Sequence, residues 1–294
     1  MDKYREAISK SNVTTDDAEV KEQVEKILLK ADENNTAEVQ EFLLSCVDLT
    51  TLSSEDNDST VRDFVDKVNA FDEQYPQYKN VAAVCVYSNF AATVRSELEV
   101  SDVNVAVVSA NFPSAQARLE VKTVETALAV ADGADEVDIV FPVGLYNEGA
   151  YEELSDEIAE IKATIKEHTL KVILETGALK TAENIRNASV LAIHSGADFI
   201  KTSTGKIYSG ATPEAAYVMC QVIKEYNERF DRKIGFKASG GIRTTKDAVQ
   251  YYTIVKEVLG EEWLTPSLFR IGASSLANNL VADFAAGVVE KAPF

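Results

Sequence analysis

Residues 196–206 read Gly-Ala-Asp-Phe-Ile-Lys-Thr-Ser-Thr-Gly-Lys, a short apolar run that is entered through Gly-Ala-Asp and ends in polar residues. The same entry occurs in residues 133–138, Gly-Ala-Asp-Glu-Val-Asp, so Asp138 and Lys201 stand at the same offset from it. Runs of this kind are typical of strands. On alternate strands of a barrel the two side chains would point inward at a similar height. Charged groups inside a barrel are costly unless they are paired or take part in chemistry.

Eight apolar runs of this kind occur along the chain, separated by longer stretches with helical periodicity. The predicted strands are Leu44–Thr50, Val81–Tyr87, Asn104–Ala110, Asp135–Phe141, Leu170–Thr176, Ala197–Ser203, Ile234–Ser239 and Leu268–Ala273. Near-continuous apolar runs are expected of parallel strands that are buried on both faces. Eight alternating strand–helix units predict an α/β fold of the (β/α)₈ TIM-barrel class. An open doubly wound sheet is the structural alternative, but no GxGxxG motif follows the first strand.

The stretches between the strands carry helix signals. Apolar residues share one helical face after the first strand and after the third, which predicts that both faces pack against the barrel. They are Val61, Phe64, Val65, Val68 and Phe71 in the first case, and Val121, Val124, Leu128 and Ala131 in the second. Thr212 before Pro213 predicts a helix start, and Thr244 with Asp247 three residues later predicts a capping box.

Two helical segments are predicted before the first strand, near Ala18–Ala31 and Ala37–Leu44. They are too short to hold a core of their own, so we expect them to pack on or across the bottom of the barrel. The chain is therefore predicted to be a single domain of residues 1–294. Its parts are a helical N-terminal extension (1–42), the barrel (43–283) and a C-terminal tail (284–294).

The composition excludes several classes of protein. The 294 residues carry 48 Asp and Glu against 29 Lys and Arg, and a net charge of −19 argues against affinity for nucleic acid phosphates. No run approaches the length of a membrane span, and the N-terminus lacks the apolar segment of a signal peptide. We therefore expect a cytoplasmic protein without a nucleic acid or membrane partner.

Cysteine and histidine usage argues against disulfides and metals. The three cysteines Cys46, Cys85 and Cys220 form no CxxC pair and fit a reducing cytosol. The two histidines, His168 and His194, belong to no metal-binding motif, so no metal site is predicted.

Two lysines interrupt otherwise apolar strands, Lys201 and Lys237, and each is followed two residues later by a serine. With a reference pKa of about 10.4, roughly one lysine in a few thousand is neutral and nucleophilic at pH 7. Two ammonium groups about 5 Å apart at an effective dielectric near 20 lower each other's pKa by about two units, and burial lowers it further. A buried lysine pair near Asp138 therefore indicates Schiff-base chemistry. The alternative is that one or both lysines reach the barrel rim.

Glycine-rich loops follow the seventh and eighth strands, where barrels often bind phosphate through backbone N–H groups and a helix N-terminus. Gly240-Gly-Ile-Arg243 follows the seventh strand, and Gly272-Ala-Ser-Ser275 follows the eighth. Glycines permit close backbone approach, and Arg243 or Lys206 supplies positive charge. The two loops together predict a phosphate site.

Six ordered segments resemble those of deoxyribose-phosphate aldolases and span roughly residues 43–283. They are Asp-Leu-Thr-Thr-Leu (48–52), Val-Asp-Ile-Val-Phe-Pro (137–142), Val-Ile-Leu-Glu-Thr-Gly-Ala-Leu-Lys (172–180), Gly-Ala-Asp-Phe-Ile-Lys-Thr-Ser-Thr-Gly-Lys (196–206), Gly-Phe-Lys-Ala-Ser-Gly-Gly-Ile-Arg-Thr (235–244) and Gly-Ala-Ser-Ser-Leu (272–276). The resemblance implies a class I aldolase without a cofactor. Its reaction would be the reversible cleavage of 2-deoxy-D-ribose 5-phosphate to D-glyceraldehyde 3-phosphate and acetaldehyde, in deoxyribonucleoside catabolism.

The resemblance also implies roles for individual residues. Lys201 matches the lysine that forms the Schiff base, Lys237 the lysine that perturbs it, and Asp138 the carboxylate that takes part in proton transfer. The predicted substrate-binding residues are Asp48, Thr50, Cys85 and Thr204. The predicted phosphate-binding residues are Gly205, Lys206, Gly240, Gly241, Arg243, Gly272, Ser274 and Ser275. For Cys85 a purely apolar packing role is the alternative, and for Glu175 structural pairing is favoured over catalysis.

Some points stay open in the sequence. Some members of the family end in a Tyr that assists proton transfer, whereas this chain ends in Phe294. The relay would then fall to Asp138, Lys237 and water, or to a further group. Another Schiff-base aldolase and a silent sugar-phosphate-binding barrel are alternatives, and a metal-dependent aldolase is disfavoured. A homodimer or higher homo-oligomer is possible from the sequence.

Overall fold

A closed barrel of eight parallel strands, in which the first strand pairs with both the second and the eighth, forms the centre of the protein. The computed structural model describes residues 3–289 and 291–294. The strands are β1 (Val47–Thr50), β2 (Ala83–Tyr87), β3 (Asn104–Val108), β4 (Glu136–Val140), β5 (Thr169–Ile173), β6 (Phe199–Lys201), β7 (Gly235–Ser239) and β8 (Phe269–Ala273). The prediction of a (β/α)₈ barrel is confirmed, and the open sheet is excluded. Each predicted run contains most or all of one strand, and most runs extend beyond the observed strand.

Helices surround the barrel. They are α1 (Lys3–Lys10), α2 (Asp17–Leu28), α3 (Ala31–Asn34), α4 (Ala37–Leu44), α5 (Asp58–Gln74), α6 (Ala91–Glu97), α7 (Leu119–Ala131), α8 (Val143–Glu148), α9 (Tyr151–Ile165), α10 (Thr176–Leu179), α11 (Ala182–His194), α12 (Pro213–Phe230), α13 (Thr245–Leu259) and α14 (Leu276–Phe284). Short 3₁₀ segments lie at Ser88–Phe90 and Glu261–Trp263. None of the helices in the described ranges is both long enough and apolar enough to cross a membrane.

The two predicted helix starts are confirmed. The Thr212 hydroxyl accepts a hydrogen bond from the backbone N–H of Ala215, and Pro213 occupies the first position of α12. At α13, Thr244 and Asp247 cap each other's backbone N–H groups. These caps satisfy N–H donors that a helix leaves free in its first turn. They also fix where the loops after β6 and β7 end, and those loops border the mouth of the barrel.

The N-terminal helices α1 and α2 pack along the outer helices, and for α2 this corrects the prediction that it lies on or across the bottom of the barrel. α1 contacts α9 and α11, and α2 contacts α12 and α13. Asp17 accepts a hydrogen bond from the first N–H of α11, whereas Lys30 pairs with Glu257 near the end of α13. α2 therefore runs along the outside of the barrel. Of this group, α4 leads directly into β1. We infer that residues 3–44 belong to the same folding unit as the barrel.

Helix α7 turns its apolar face outward, contrary to the prediction from periodicity. Val121, Val124 and Leu128 are 56%, 58% and 59% exposed, whereas Lys122 and Thr126 are buried. The buried Lys122 ammonium lies 2.6 Å from a carboxylate oxygen of Glu157 on α9, which explains how a lysine can occupy the inner face. The periodicity was recognised correctly, but the apolar stripe does not face the barrel.

Small and apolar side chains fill one side of the barrel interior. Ala83 and Cys85 of β2 pack with Ala106 and Val108 of β3. Lower in the barrel, the Phe199 ring fills the space beside Gly235, where a Cβ atom would lie 2.3 Å from the ring. The remaining strands turn charged side chains into the interior.

Candidate active site

Seven charged side chains meet inside the barrel, among the residues that the structure describes. The carboxylates are Asp48, Glu136 and Asp138, and the cations are Lys171, Lys201, Lys237 and Arg270. All are at least 96% buried. They come together because alternate residues of a strand point inward and the strands are in register: Asp138 is beside Lys171, and Lys237 is beside both Lys201 and Arg270.

Asp138 is the centre of this cluster. Its Oδ2 atom accepts hydrogen bonds from Lys201 Nζ and Lys237 Nζ, each at 2.8 Å. Its Oδ1 atom accepts one from Lys171 Nζ at 2.9 Å. The structure thus brings together the three residues for which the sequence predicted catalytic roles. Because both lysines bind one oxygen, a proton leaving either amine is within one hydrogen bond of the carboxylate.

Glu136, Lys171 and Arg270 were not predicted from the sequence. Arg270 donates to Asp48 at 2.6 Å and, through its other terminal nitrogen, to Glu136 at 2.8 Å. Lys171 pairs with Glu136 as well as with Asp138. The signal was available, because each of the three interrupts an apolar strand in the same way as Lys201 does.

The two lysines on Asp138 have opposite pKa shifts. Burial lowers the pKa of Lys201, and the Lys237 charge lowers it further, although Asp138 opposes both. Burial also lowers the pKa of Lys237, but Asp138 and Asp48 together outweigh it and the pKa lies above its ordinary value. Lys201 is therefore the lysine that most readily becomes neutral, and Lys237 stays an ammonium ion.

The interior carboxylates stay ionised. Burial would raise the pKa of Asp138, but Lys171, Lys201 and Lys237 hold it well below the usual range. The pKa values of Asp48 and Glu136 are lowered in the same way by surrounding cations. Asp138 is therefore an ionised hydrogen-bond acceptor at neutral pH, and it is not a reservoir of protons.

The four residues predicted to bind substrate occupy different positions. Asp48 is fully buried and pairs with Lys237 and Arg270, so it supports the lysine cluster. The Thr50 hydroxyl donates to the Asp48 carbonyl, and Cys85 lies beside Thr50 in the sheet. Burial raises the pKa of the Cys85 thiol, so it stays protonated among its small apolar neighbours.

Thr204, the fourth, lies in the loop after β6. Its hydroxyl donates to Glu175 Oε2 at 2.6 Å, and its backbone N–H donates to Glu175 Oε1 at 3.2 Å. The same hydroxyl accepts a hydrogen bond from the Lys206 N–H. These bonds commit Thr204 and Glu175 to shaping the loop, which is the structural pairing that the sequence favoured for Glu175.

The residues predicted to bind phosphate lie in the loops after β6, β7 and β8, except Gly272, which lies within β8. The loops after β6 and β7 touch through glycines, since a Cβ atom at Gly210 would lie 2.1 Å from the Gly240 carbonyl oxygen. Gly240 and Gly241 have φ values of +88° and +82°, a region that favours glycine. The other predicted residues in these loops are Gly205, Lys206, Arg243, Ser274 and Ser275. Gly272 lies in β8, beside the lysine cluster.

The charged and polar groups of these loops are exposed. Lys206, Arg243, Ser274 and Ser275 all face solvent, and Ser275 precedes the first residue of α14 without bonding its N–H groups. The Lys206 ammonium bonds the Leu52 carbonyl across the mouth. Exposed N–H groups at the start of a helix, with a lysine and an arginine on neighbouring loops, can receive an anion.

Gly272 makes room for the Lys237 side chain in the lysine cluster. A Cβ atom at this position would lie 3.1 Å from Lys237 Cε and 3.1 Å from Ser239 Cβ. Contacts of that length are tighter than most side chains accept, so glycine leaves the space in which Lys237 reaches Asp138. This explains a glycine inside a strand, where it is otherwise unfavourable.

Phe294 lies on the outside of the barrel. Its ring packs against Phe71 with the centroids 4.9 Å apart, and its backbone N–H and carbonyl bond the Asn278 side chain. Phe294 therefore does not contribute to the lysine cluster.

The donor set of the cluster suits amine chemistry. Within residues 3–289 and 291–294 no three His, Cys, Asp or Glu side chains gather in a way that could hold a metal ion. An amine that loses its proton readily, an ammonium ion and a carboxylate within hydrogen-bond distance can form and hydrolyse a carbon–nitrogen double bond.

Comparison with known proteins relates the chain to aldolases. Residues 42–279 match the sequence model of the DeoC/LacD family aldolase. The deoxyribose-phosphate aldolase of Homo sapiens is 40% identical over 248 residues, which cover 80% of this chain and 77% of the human protein. That of Bos taurus is 39% identical over 247 residues, which cover 79% and 76%. The deoxyribose phosphate aldolase from Aeropyrum pernix, described as having a unique tetrameric structure, aligns with a TM-score of 0.67 at 26% identity, covering 88% of this chain and 97% of that chain.

Replacement of Asp138 by asparagine tests how much the cluster contributes to stability. Asp138→Asn leaves three buried ammonium groups without their shared carboxylate, and we expect a loss of about 3–5 kcal/mol in the free energy of unfolding. Asp135→Asn is the matched control, because Asp135 precedes the same strand but pairs with Arg95 at the surface. It should cost less than about 1 kcal/mol. Denaturant unfolding at pH 7 measures both, and equal losses would contradict the assignment of Asp138 as the centre.

Proposed function

Because the chain belongs to the DeoC/LacD family of aldolases, we propose that it cleaves 2-deoxy-D-ribose 5-phosphate reversibly to D-glyceraldehyde 3-phosphate and acetaldehyde through a Schiff base on Lys201. One observation carries the proposal: Lys201 Nζ and Lys237 Nζ both lie 2.8 Å from Asp138 Oδ2, buried inside a barrel. The human relative, 40% identical, is named for this substrate. A role in the breakdown of deoxyribonucleosides follows from the substrate.

Lys201 is proposed as the nucleophile because it is the interior lysine with a lowered pKa. Its neutral amine attacks C1 of the open-chain aldehyde and forms a carbinolamine. Loss of water from the carbinolamine gives an iminium ion. Burial lowers the pKa of Lys201, which favours the neutral amine that attacks, and it excludes bulk water from the iminium ion.

The carbon–carbon bond breaks between C2 and C3, which leaves two carbons on the lysine. As the C3 hydroxyl loses its proton, the C2–C3 electron pair moves toward the iminium nitrogen and gives an enamine. D-Glyceraldehyde 3-phosphate departs. The enamine then takes up a proton at C2, and water hydrolyses the resulting iminium ion to acetaldehyde and the free Lys201 amine.

Asp138 and Lys237 are proposed to move these protons. Asp138 is an ionised carboxylate whose Oδ2 atom accepts hydrogen bonds from both Lys201 and Lys237, so it can hold a proton briefly in transit, and Lys237 is an ammonium ion that can donate one. A water molecule in contact with this pair would connect it to the substrate carbon. General acid–base groups in such a position typically contribute 10²–10⁴-fold to a rate.

The phosphate is proposed to bind at the loops after β6, β7 and β8. Gly240 and Gly241 present backbone close to the mouth, Ser274 and Ser275 lie at the start of α14, and Lys206 adds charge. Binding energy from this remote group would hold the substrate aldehyde near Lys201, which raises the rate of the chemical step.

Alternative functions make different demands on these residues. A Schiff-base aldolase with another phosphorylated substrate would use the same cluster, and turnover of fructose bisphosphate would reveal it. A sugar-phosphate-binding protein would need the loops but not the buried lysines, whose burial is costly. A metal-dependent aldolase would lose activity on dialysis against a chelator.

Reduction with borohydride in the presence of acetaldehyde tests the nucleophile. We expect an N-ethyl group on Lys201 and none on Lys237 or Lys171, because the pKa of Lys201 is lowered whereas those of Lys237 and Lys171 are raised. Peptide mass mapping locates the group. Lys201→Leu should abolish turnover and labelling while leaving the circular dichroism spectrum unchanged. Modification of Lys237 would reverse the assignment of the two lysines.

A negative charge in the phosphate loops tests the second part of the proposal. Ser275→Glu places a carboxylate at the start of α14, where it repels the phosphate dianion. We expect kcat/KM for deoxyribose 5-phosphate to fall by about a hundredfold or more, and kcat/KM for unphosphorylated deoxyribose to change much less. Ser114→Glu, an exposed serine in the loop after β3, is the control. Equal losses for both substrates would argue against phosphate binding at these loops.

We propose further that the chain forms a homodimer through the outward face of α7. Val121, Val124 and Leu128 repeat at the spacing of one helical stripe, and Ala127 and Ala131 beside them are small and exposed. An isologous contact places the same stripe of a second copy against it. The relative from Aeropyrum pernix is described as tetrameric.

Sedimentation velocity tests the dimer. The unmodified chain should sediment as a dimer, and Leu128→Glu should sediment as a monomer because it buries a charge at the centre of the contact. Leu29→Glu is the control, since Leu29 is 82% exposed and lies directly after α2, away from α7. A monomeric unmodified chain, or a dimeric Leu128→Glu variant, would exclude α7 as the interface.

A further inference from the structure

The barrel interior holds more charged groups than the proposed reaction uses. Resting on the proposed function, we propose that Lys171, Glu136 and Arg270 are positioning residues that fix the net charge of the interior, so that it is neutral only when the Lys201 amine carries no proton. The Schiff-base lysine is then prepared for attack by the whole cluster as well as by its neighbour Lys237.

The charges of the cluster do not balance when all of its lysines are protonated. Three carboxylates face four cationic side chains, so the cluster carries one excess positive charge when every lysine is protonated. Arginine does not lose its proton in proteins, so the interior becomes neutral only when one of the three lysines loses a proton. Two further buried ions in the described residues lie elsewhere: Lys122 pairs with Glu157 between two outer helices, and Glu175 bonds Thr204 in the loop after β6.

The number of carboxylates around each lysine decides which one loses the proton. Lys171 pairs with Glu136 and Asp138 and lies 3.8 Å from Asp48. Lys237 pairs with Asp48 and Asp138. Lys201 has Asp138 alone, and it shares that oxygen with Lys237. Removing the proton from Lys201 therefore breaks the fewest ion pairs.

Asp138 is the carboxylate among the groups that face Lys201. β4 presents Asp138, β5 presents Lys171 on the other oxygen of Asp138, β7 presents Lys237, and β2 presents the neutral Cys85 thiol. Glu175 follows β5, but both of its carboxylate oxygens are bonded to Thr204. Asp138 is thus the carboxylate bonded to Lys201, and the other two act on it through Lys171, Lys237 and Arg270.

Removing Lys171 should make the protonated form of Lys201 the one that leaves the interior neutral. In Lys171→Met three carboxylates face three cations, so the interior is neutral with Lys201 protonated. A unit charge about 5 Å away at an effective dielectric near 20 changes a pKa by about two units. The Lys201 titration should therefore move upward by about two pH units. Glu136→Gln removes a carboxylate and should move the Lys201 titration downward. This shift should be smaller than that of Lys171→Met, because Glu136 does not contact Lys201.

The double variant Lys171→Met/Glu136→Gln tests the count itself. It lacks two ion-paired side chains, but two carboxylates again face three cations, so neutrality again requires an unprotonated Lys201. We expect its Lys201 titration to return at least half of the way from that of Lys171→Met to that of the unmodified chain. A role of Lys171 in packing alone would leave the double variant no better than the single one.

Trace acetylation with acetic anhydride between pH 5 and 11, read by peptide mass mapping, gives the titration midpoint of Lys201 in each variant. The pH profile of kcat/KM for deoxyribose 5-phosphate is the second measurement, and the activity of Lys171→Met should recover at alkaline pH. Lys122→Met is the matched control. It removes an equally buried lysine and its ion pair outside the cluster, and should leave the Lys201 midpoint unchanged.

The outcomes separate this inference from the proposed function. Acetylation does not require turnover, so midpoints that follow the charge count support the inference even if acetaldehyde is trapped on another lysine. Trapping on Lys201 with an unchanged midpoint in Lys171→Met would overturn the inference and leave the Schiff-base proposal standing. If Lys171→Met does not fold, an upward midpoint in Glu136→Gln, or a double variant displaced upward by two units, overturns it equally.

Discussion

The removal of the Asp138 carboxylate from water is the constraint on which the centre of this protein depends. An ionised carboxylate inside a closed barrel is unfavourable by several kcal/mol unless cations and hydrogen bonds replace its water. Three lysines from β5, β6 and β7 do so, and they in turn need the further carboxylates Asp48 and Glu136. Each charged side chain of the cluster is therefore paired with an opposite charge that also belongs to the cluster.

The fold supplies this pairing through geometry. Parallel strands in register place inward residues of neighbouring strands side by side, and a barrel brings β8 back to β1, so Arg270 can reach Asp48. In an open sheet the two ends would lie far apart, and Asp48 would lose this partner. Small residues on β2 and β3 occupy the other side of the interior, and one of them, Cys85, lies near the amine of Lys201. The same closure that stabilises the charges thus places uncharged side chains on only one side of the interior.

Much of this arrangement could be predicted from the sequence. Eight apolar runs gave the barrel, and two lysines in apolar strands with a nearby carboxylate gave the centre of the candidate site. Lys171 and Arg270 carry the same signal, a charge within an apolar strand, but which cations share a carboxylate depends on the register between strands. Local patterns do not contain that register. For α7 the period was right and the direction wrong, because a buried Lys122–Glu157 pair takes the inner face and periodicity cannot tell a core from another surface.

Stability and reactivity make opposite demands on the interior lysines. The lowered pKa values of the carboxylates stabilise the fold above about pH 4, and this contribution is lost as the pH falls through their folded-state values. The raised pKa values of Lys171 and Lys237 stabilise it below about pH 10, and this contribution is lost as the pH rises further.

Lys201 has the opposite sign. Its pKa is lowered, so between that value and about 10.4 the unfolded chain binds a proton that the folded chain does not, and stability rises with pH across that interval. At neutral pH the fold is therefore less stable than it would be with a fully paired lysine at this position. The surrounding ion pairs offset that loss, and the amine with the fewest carboxylates around it is the one proposed as the nucleophile.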